Sequence, residues 1–142
     1  MKNKLLFTIL VLSVFAGFVF ADYEDAFISS LQTCSHYIKS GTVATEGMQI
    51  DVKEEIVGFE KDRCVYKEFL DMAGAKSCIT CRFTKSQIAE LVKVMEAYNT
   101  LQSYSEEKVD TSSVEAVQDN PVVKAWNKYL NDSSVCTVGM PR

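Results

Sequence analysis

Five cysteines, Cys34, Cys64, Cys78, Cys81 and Cys136, constrain this chain more than any other feature. All of them follow an N-terminal stretch with the pattern of a secretion leader, so they are expected in a compartment where disulfides persist. Five is odd, so at least one thiol must be free, capped or paired between chains. Cys78-Ile79-Thr80-Cys81 is a CxxC, the spacing of a thiol–disulfide active site. Such a site places its first cysteine at a helix N-terminus, where the dipole lowers the thiol pKa. Here Thr84 and Gln87 form a capping-box pattern that starts the next helix after both cysteines. On a strand, a spacing of three turns Cys81 inward and Cys78 outward. No aromatic residue precedes the motif and no proline lies within it. A zinc site needs a compact set of Cys and His ligands. This chain has one CxxC and one histidine, His36, so no metal site is expected. The sequence therefore predicts two structural bridges among Cys34, Cys64, Cys81 and Cys136, with Cys78 as the free thiol. Four cysteines allow three connectivities. The preferred pairing is Cys64–Cys81 across a hairpin, with Cys34–Cys136 tying down the C-terminal tail.

The leader has three parts. Lys2 and Lys4 give the positive start, Leu5 to Phe20 is largely apolar, and Val19-Phe20-Ala21 offers small residues before a cut at Asp22. The apolar run, about 16 residues, is shorter than the roughly 20 that a membrane span needs. Asp22, Glu24 and Asp25 follow where a stop-transfer flank would carry Lys or Arg. The expectation is a signal peptide over 1–21 and one small domain over 22–142, secreted or periplasmic, with no stable membrane span after cleavage. The formal net charge of −4 becomes −6 when Lys2 and Lys4 leave, with 13 basic residues against 19 acidic. No basic patch is visible, which argues against nucleic acid as a partner.

Apolar periodicity supplies the elements. Tyr23, Phe27, Leu31, Cys34 and Ile38 form one stripe of a helix over Asp22 to Ile38, stopped by Ser40-Gly41. From Met48 the period changes to two, with Met48, Ile50, Val52 and Ile56 on one face. Gly58 falls at a parity shift that suggests a bulge. A polar turn over 60–63 leads to a strand from Cys64 to Leu70, and Ala73-Gly74 turns into a third strand, Ser77 to Phe83. Ile88, Leu91, Val92, Met95 and Tyr98 mark a helix. Ser103 to Gln118 reads as an acidic loop, and Asn120-Pro121 opens a last helix buried through Val122, Trp126 and Leu130. The expected fold is α+β: an N-terminal helix, a three-stranded antiparallel meander, then two helices packed on one face of the sheet.

No catalytic set emerges. Cys34 and His36, two apart on a helix, do not face each other. Glu54 and Glu55 point to opposite faces of a strand, Glu106 and Glu107 lie in the acidic loop, and no convergent acid and base pair is visible. There is no Gly-rich phosphate loop, GxSxG or HExxH, and no cofactor is implied. Asn131-Asp132-Ser133 matches a three-residue glycosylation sequon. Tyr66, Tyr98, Tyr104, Tyr129 and Trp126 fit core positions better than a ligand surface. These features favour a disulfide-stabilised, non-enzymatic binding or accessory domain whose partner is a protein or a small apolar ligand. Two alternatives stand beside it. One is a thiol–disulfide oxidoreductase or redox-responsive protein using Cys78 and Cys81. The other is an apolar-ligand carrier with its pocket between the sheet and the Ile88–Tyr98 helix.

Overall fold

A computed structural model of the chain describes residues 25–45, 47–104 and 120–139. The leader over 1–21 and most of the acidic stretch between the last two helices lie outside the described residues. The elements run in the order α1 (Asp25–Thr33), β1 (Tyr37–Thr45), β2 (Met48–Glu60), β3 (Arg63–Met72), β4 (Ala75–Phe83), α2 (Lys85–Tyr104), α3 (Pro121–Leu130) and β5 (Cys136–Gly139). The five strands form one antiparallel sheet in sequence order.

This sheet corrects the expected three-stranded meander, because a strand is added at each edge. Tyr37 and Ile38, expected to end the first helix, instead begin β1, which pairs along its whole length with β2, from Tyr37 opposite Ile56 to Thr45 opposite Met48. The first helix stops at Thr33, where Cys34 takes a left-handed φ of 52°. The Ser35 amide then bonds the Ser30 carbonyl at 2.8 Å and the Cys34 amide bonds the Leu31 carbonyl at 3.1 Å, a Schellman ending. At the other edge β5 is four residues long and pairs with β4. The arrangement of the helices is corrected too. α2 and α3 follow β4 and precede β5; they contact each other, and α1 contacts α2, more extensively than any helix contacts one strand.

Alternation sets which side chains face the interior. Ile50, Val52, Glu54 and Ile56 of β2 are buried, as are Cys64, Tyr66, Glu68 and Leu70 of β3 and Ile79, Cys81 and Phe83 of β4. Trp126 of α3 closes this side, its ring 5.3 Å from Tyr66 and 5.7 Å from Phe83. The capping box forms as drawn from the sequence, with the Gln87 amide on Thr84 Oγ1 at 3.2 Å and the Thr84 amide on Gln87 Oε1 at 2.9 Å. Asn120 Oδ1 caps α3 by accepting from the Val122 amide at 2.9 Å. Gly58, at φ 124°, supplies the bulge that shifts the β2–β3 register between Ile56 and Gly58.

Candidate functional site

The sheet has one face in the interior and one toward solvent. The outer face is built from the other parity: Ser40 and Thr42 of β1, Asp51 and Lys53 of β2, Phe69 and Asp71 of β3, and Lys76 and Cys78 of β4. A groove of about 560 Å³ crosses it, lined by Ser40, Thr42, Asp51, Lys53, Phe69 and Lys76 among others. Ser40, Gly41 and Thr42 are small, which leaves room above the β1 edge. The Lys53 ammonium sits 5.2 Å from the centre of the half-buried Phe69 ring. Thr42 Oγ1 donates to Asp51 Oδ1 at 2.8 Å, and the Gly74 amide donates to Asp71 Oδ1 at 2.9 Å. Ala73 (φ 52°) and Gly74 (φ 89°) both take the left-handed backbone in the β3–β4 turn. Both signs of charge and one aromatic face are thus presented together on hydrogen-bonded strands.

The cysteines divide between the two faces. Cys34 is bridged to Cys64 and Cys81 to Cys136, with Cα separations of 5.8 and 4.1 Å. This is not the pairing preferred from the sequence, and the register explains why. Cys64 lies opposite Phe83, so Cys81 is its diagonal neighbour on β4. Such neighbours stand about 7–8 Å apart, at or beyond the reach of a disulfide. Cys81 lies directly opposite Cys136 on β5. Cys64 instead meets Cys34, which the Schellman turn places at the end of α1. Cys78 is a free, half-buried thiol on the outer face, opposite Phe69, with Ile79 O and Thr80 Oγ1 both 3.9 Å from its sulfur. The two cysteines of the CxxC therefore point to opposite sides of β4, and one of them is bonded elsewhere.

Sequence reasoning missed a second constellation, on the inner face. Glu54 and Glu68 are register partners on β2 and β3, and they are only 2% and 5% exposed. The Tyr66 hydroxyl donates to Glu68 Oε2 at 3.1 Å. Burial pushes the Glu68 carboxyl up to about 7, against the opposing pull of the Tyr66 bond. Lys39 is the register partner of Glu54 on β1. Two carboxyls in unlike surroundings are the raw material of acid–base chemistry, but both are enclosed and neither lines the outer groove. A signal was present in the sequence. Glu54 falls on the parity of Ile50, Val52 and Ile56, and Glu68 on that of Tyr66 and Leu70.

The remaining sequence candidates fall apart in space. His36 Nε2 lies 3.6 Å from Glu55 Oε1 on the surface, while Cys34 is in its bridge. Glu90 of α2 accepts from Lys128 at 3.2 Å and from the Tyr129 hydroxyl, which ties α2 to α3. Burial and the bond to Glu90 push Tyr129 up to about 12. The Tyr129 and Lys128 hydrogen bonds hold the Glu90 carboxyl below its ordinary value. Asn131, Asp132 and Ser133 are exposed in the turn after α3, with Asn131 Nδ2 donating to the Asn127 carbonyl at 2.9 Å. Among the described residues no group of three or more His, Cys, Asp or Glu converges as a metal site, and no helix is long and apolar enough to cross a membrane. No protein-family model, curated protein or solved structure matches this chain, which leaves the geometry of the two faces as the ground for reading its function.

Proposed function

We propose that this disulfide-stabilised α+β protein is a secreted or periplasmic binding module that takes a segment of another protein on the outer face of its sheet. The observation that carries this reading is the open groove over Ser40, Thr42, Asp51, Lys53, Phe69 and Lys76. It sits on hydrogen-bonded strands, where side chains hold their positions better than on loops. Its lining mixes an aromatic ring with anions and cations, which suits a polypeptide partner carrying both signs of charge. The apolar-carrier alternative draws less support, because Tyr66, Phe83, Leu91, Met95 and Trp126 fill the space between sheet and helices. The oxidoreductase alternative needs Cys78 and Cys81 to exchange a bridge, and they face opposite ways.

Photo-crosslinking tests the reading. A photoreactive residue at Lys53, on the groove, is compared with one at Lys93, on the exposed side of α2, each in protein secreted by its native cell. Crosslinks to one partner are expected from position 53 and not from position 93, with loss of the adduct in a Phe69→Ala, Lys76→Ala background. Equal capture from both positions, or capture from position 93 alone, overturns it.

A further inference from the structure

One row on the inner face of the sheet takes a single residue from each of the five strands: Lys39, Glu54, Glu68, Ile79 and Val138. Direct cross-strand partners on one face have Cβ atoms about 4.5–5.5 Å apart. Two carboxylates held that close and stripped of water oppose each other's ionisation, and one of them retains a proton well above the usual carboxyl range. The residues flanking the pair decide which. Glu54 has Lys39 as its register partner on β1, so the positive charge of the row is on its side. Glu68 has the hydrocarbon of Ile79 as its neighbour on β4, and the Tyr66 hydroxyl reaches only one of its oxygens. Surroundings that differ in this way separate a pair into one acid and one base.

The other elements add few groups. β1 presents Lys39, β3 presents Tyr66, and β4 presents no titratable side chain in this row. Among the described helical residues, Asp25 of α1 is exposed, and the buried titratable side chains are Tyr98 of α2 and Tyr129 of α3, the last bonded to Glu90.

We infer that Glu68 is a proton-binding site built into the sheet, held protonated in its buried place opposite Glu54, so that the fold is tightest in acidic surroundings and loosens as that proton leaves to solvent. The upward push of burial on the Glu68 carboxyl, to about 7, places the release within the range of extracytoplasmic fluids. The inference goes beyond the groove on the opposite face and stands whether or not a partner binds there.

The test is thermal unfolding of the oxidised protein from about pH 5 to about pH 8.5, with Glu68→Gln and Glu54→Gln beside it. The wild-type Tm is expected to fall by roughly 10 °C over that range. Glu68→Gln keeps an acceptor for Tyr66 and should remove most of the fall. Glu54→Gln leaves Glu68 buried and bonded to Tyr66, and should keep most of the fall. A flat wild-type profile overturns the inference, as does a full fall retained in Glu68→Gln. Abolition by Glu54→Gln alone would overturn the assignment of the proton. An infrared carbonyl band from a protonated buried carboxyl, present in the wild type at about pH 6, reads the same group without a variant. Its absence overturns the inference even if Glu68→Gln fails to fold.

Discussion

The β2–β3 ladder carries opposed carboxyl groups on both of its faces, Asp51 against Asp71 outside and Glu54 against Glu68 inside. The cross-strand relation is the same, and water makes the consequences differ. Outside, Asp51 takes a hydrogen bond from Thr42, Asp71 takes one from the Gly74 amide, and Lys76 stands opposite Asp71. Solvent and salt screen what repulsion remains. Inside there is no solvent to share the charge, and burial raises Glu68 from 4.5 to about 7. Between those values the unfolded chain has released a proton that the folded state still holds. The stability this group contributes is therefore complete below its unfolded value and declines as pH rises toward about 7. The difference at alkaline pH is about 3 kcal/mol. The inner face thus contributes packing and a pH response, while the outer face presents its charge to solvent.

The sharpest break of this comparison is truncation of one aromatic residue from each face. Trp126 is 2% exposed and contacts Phe27, Tyr66 and Phe83. Trp126→Ala should cost about 3–5 kcal/mol in a denaturant titration. Phe69 is half-buried with the Lys53 ammonium over its ring, and Phe69→Ala should cost about 1 kcal/mol or less. If the two losses were alike, the outer face would be a second structural layer and the groove over it would lose its meaning as a binding surface.

The cysteines give the next contrast. Replacing Cys81 and Cys136 with serine should cost about 2–4 kcal/mol. The same change at Cys34 and Cys64 should cost slightly less, because the sequence separation is 30 rather than 55 residues. Cys78→Ser, on the outer face, should change stability by less than about 0.5 kcal/mol. Chemical denaturation of oxidised samples separates these cases. A large cost at Cys78 would mean that its sulfur has a structural role the two-face division does not assign it.

Both faces were partly legible in the sequence. The alternation through Ile50, Val52 and Ile56 already separates inside from outside, and Thr84-Gln87 and Asn120-Pro121 announce two helix starts by local hydrogen bonding alone. The edges were not legible. Ser40 to Thr45 is a run of small residues with weak alternation, and it becomes a strand because β2 offers it a full ladder. Cys136 to Gly139 is too short to signal a strand, and its pairing follows from Cys81 on the neighbouring strand. The Glu54–Glu68 pair needs register as well as parity. The Gly58 bulge advances β2 by one residue relative to β3, and only that shift sets Glu54 opposite Glu68. A carboxyl on an apolar parity is visible in a sequence. Its partner is not, until the bulge is placed.

The smallest effect has the most diagnostic sign. Like charges directly opposite on a sheet are destabilising, by the same few tenths to about 1 kcal/mol that favourable cross-strand pairs contribute. Asp51→Asn removes that repulsion from the outer pair and keeps an oxygen able to accept from Thr42 Oγ1, which donates to Asp51 at 2.8 Å. The variant should gain a few tenths of a kcal/mol at low salt. The gain should shrink as ionic strength rises and the Debye length falls from roughly 30 Å toward 3 Å. Paired denaturant titrations at low and high salt measure both. A loss of more than about 1 kcal/mol would place Asp51 in a structural network. A gain that ignored salt would mean that solvent does not reach the pair. Either result would erase the contrast between the two faces, because that contrast requires water over Asp51 and Asp71 and none over Glu54 and Glu68.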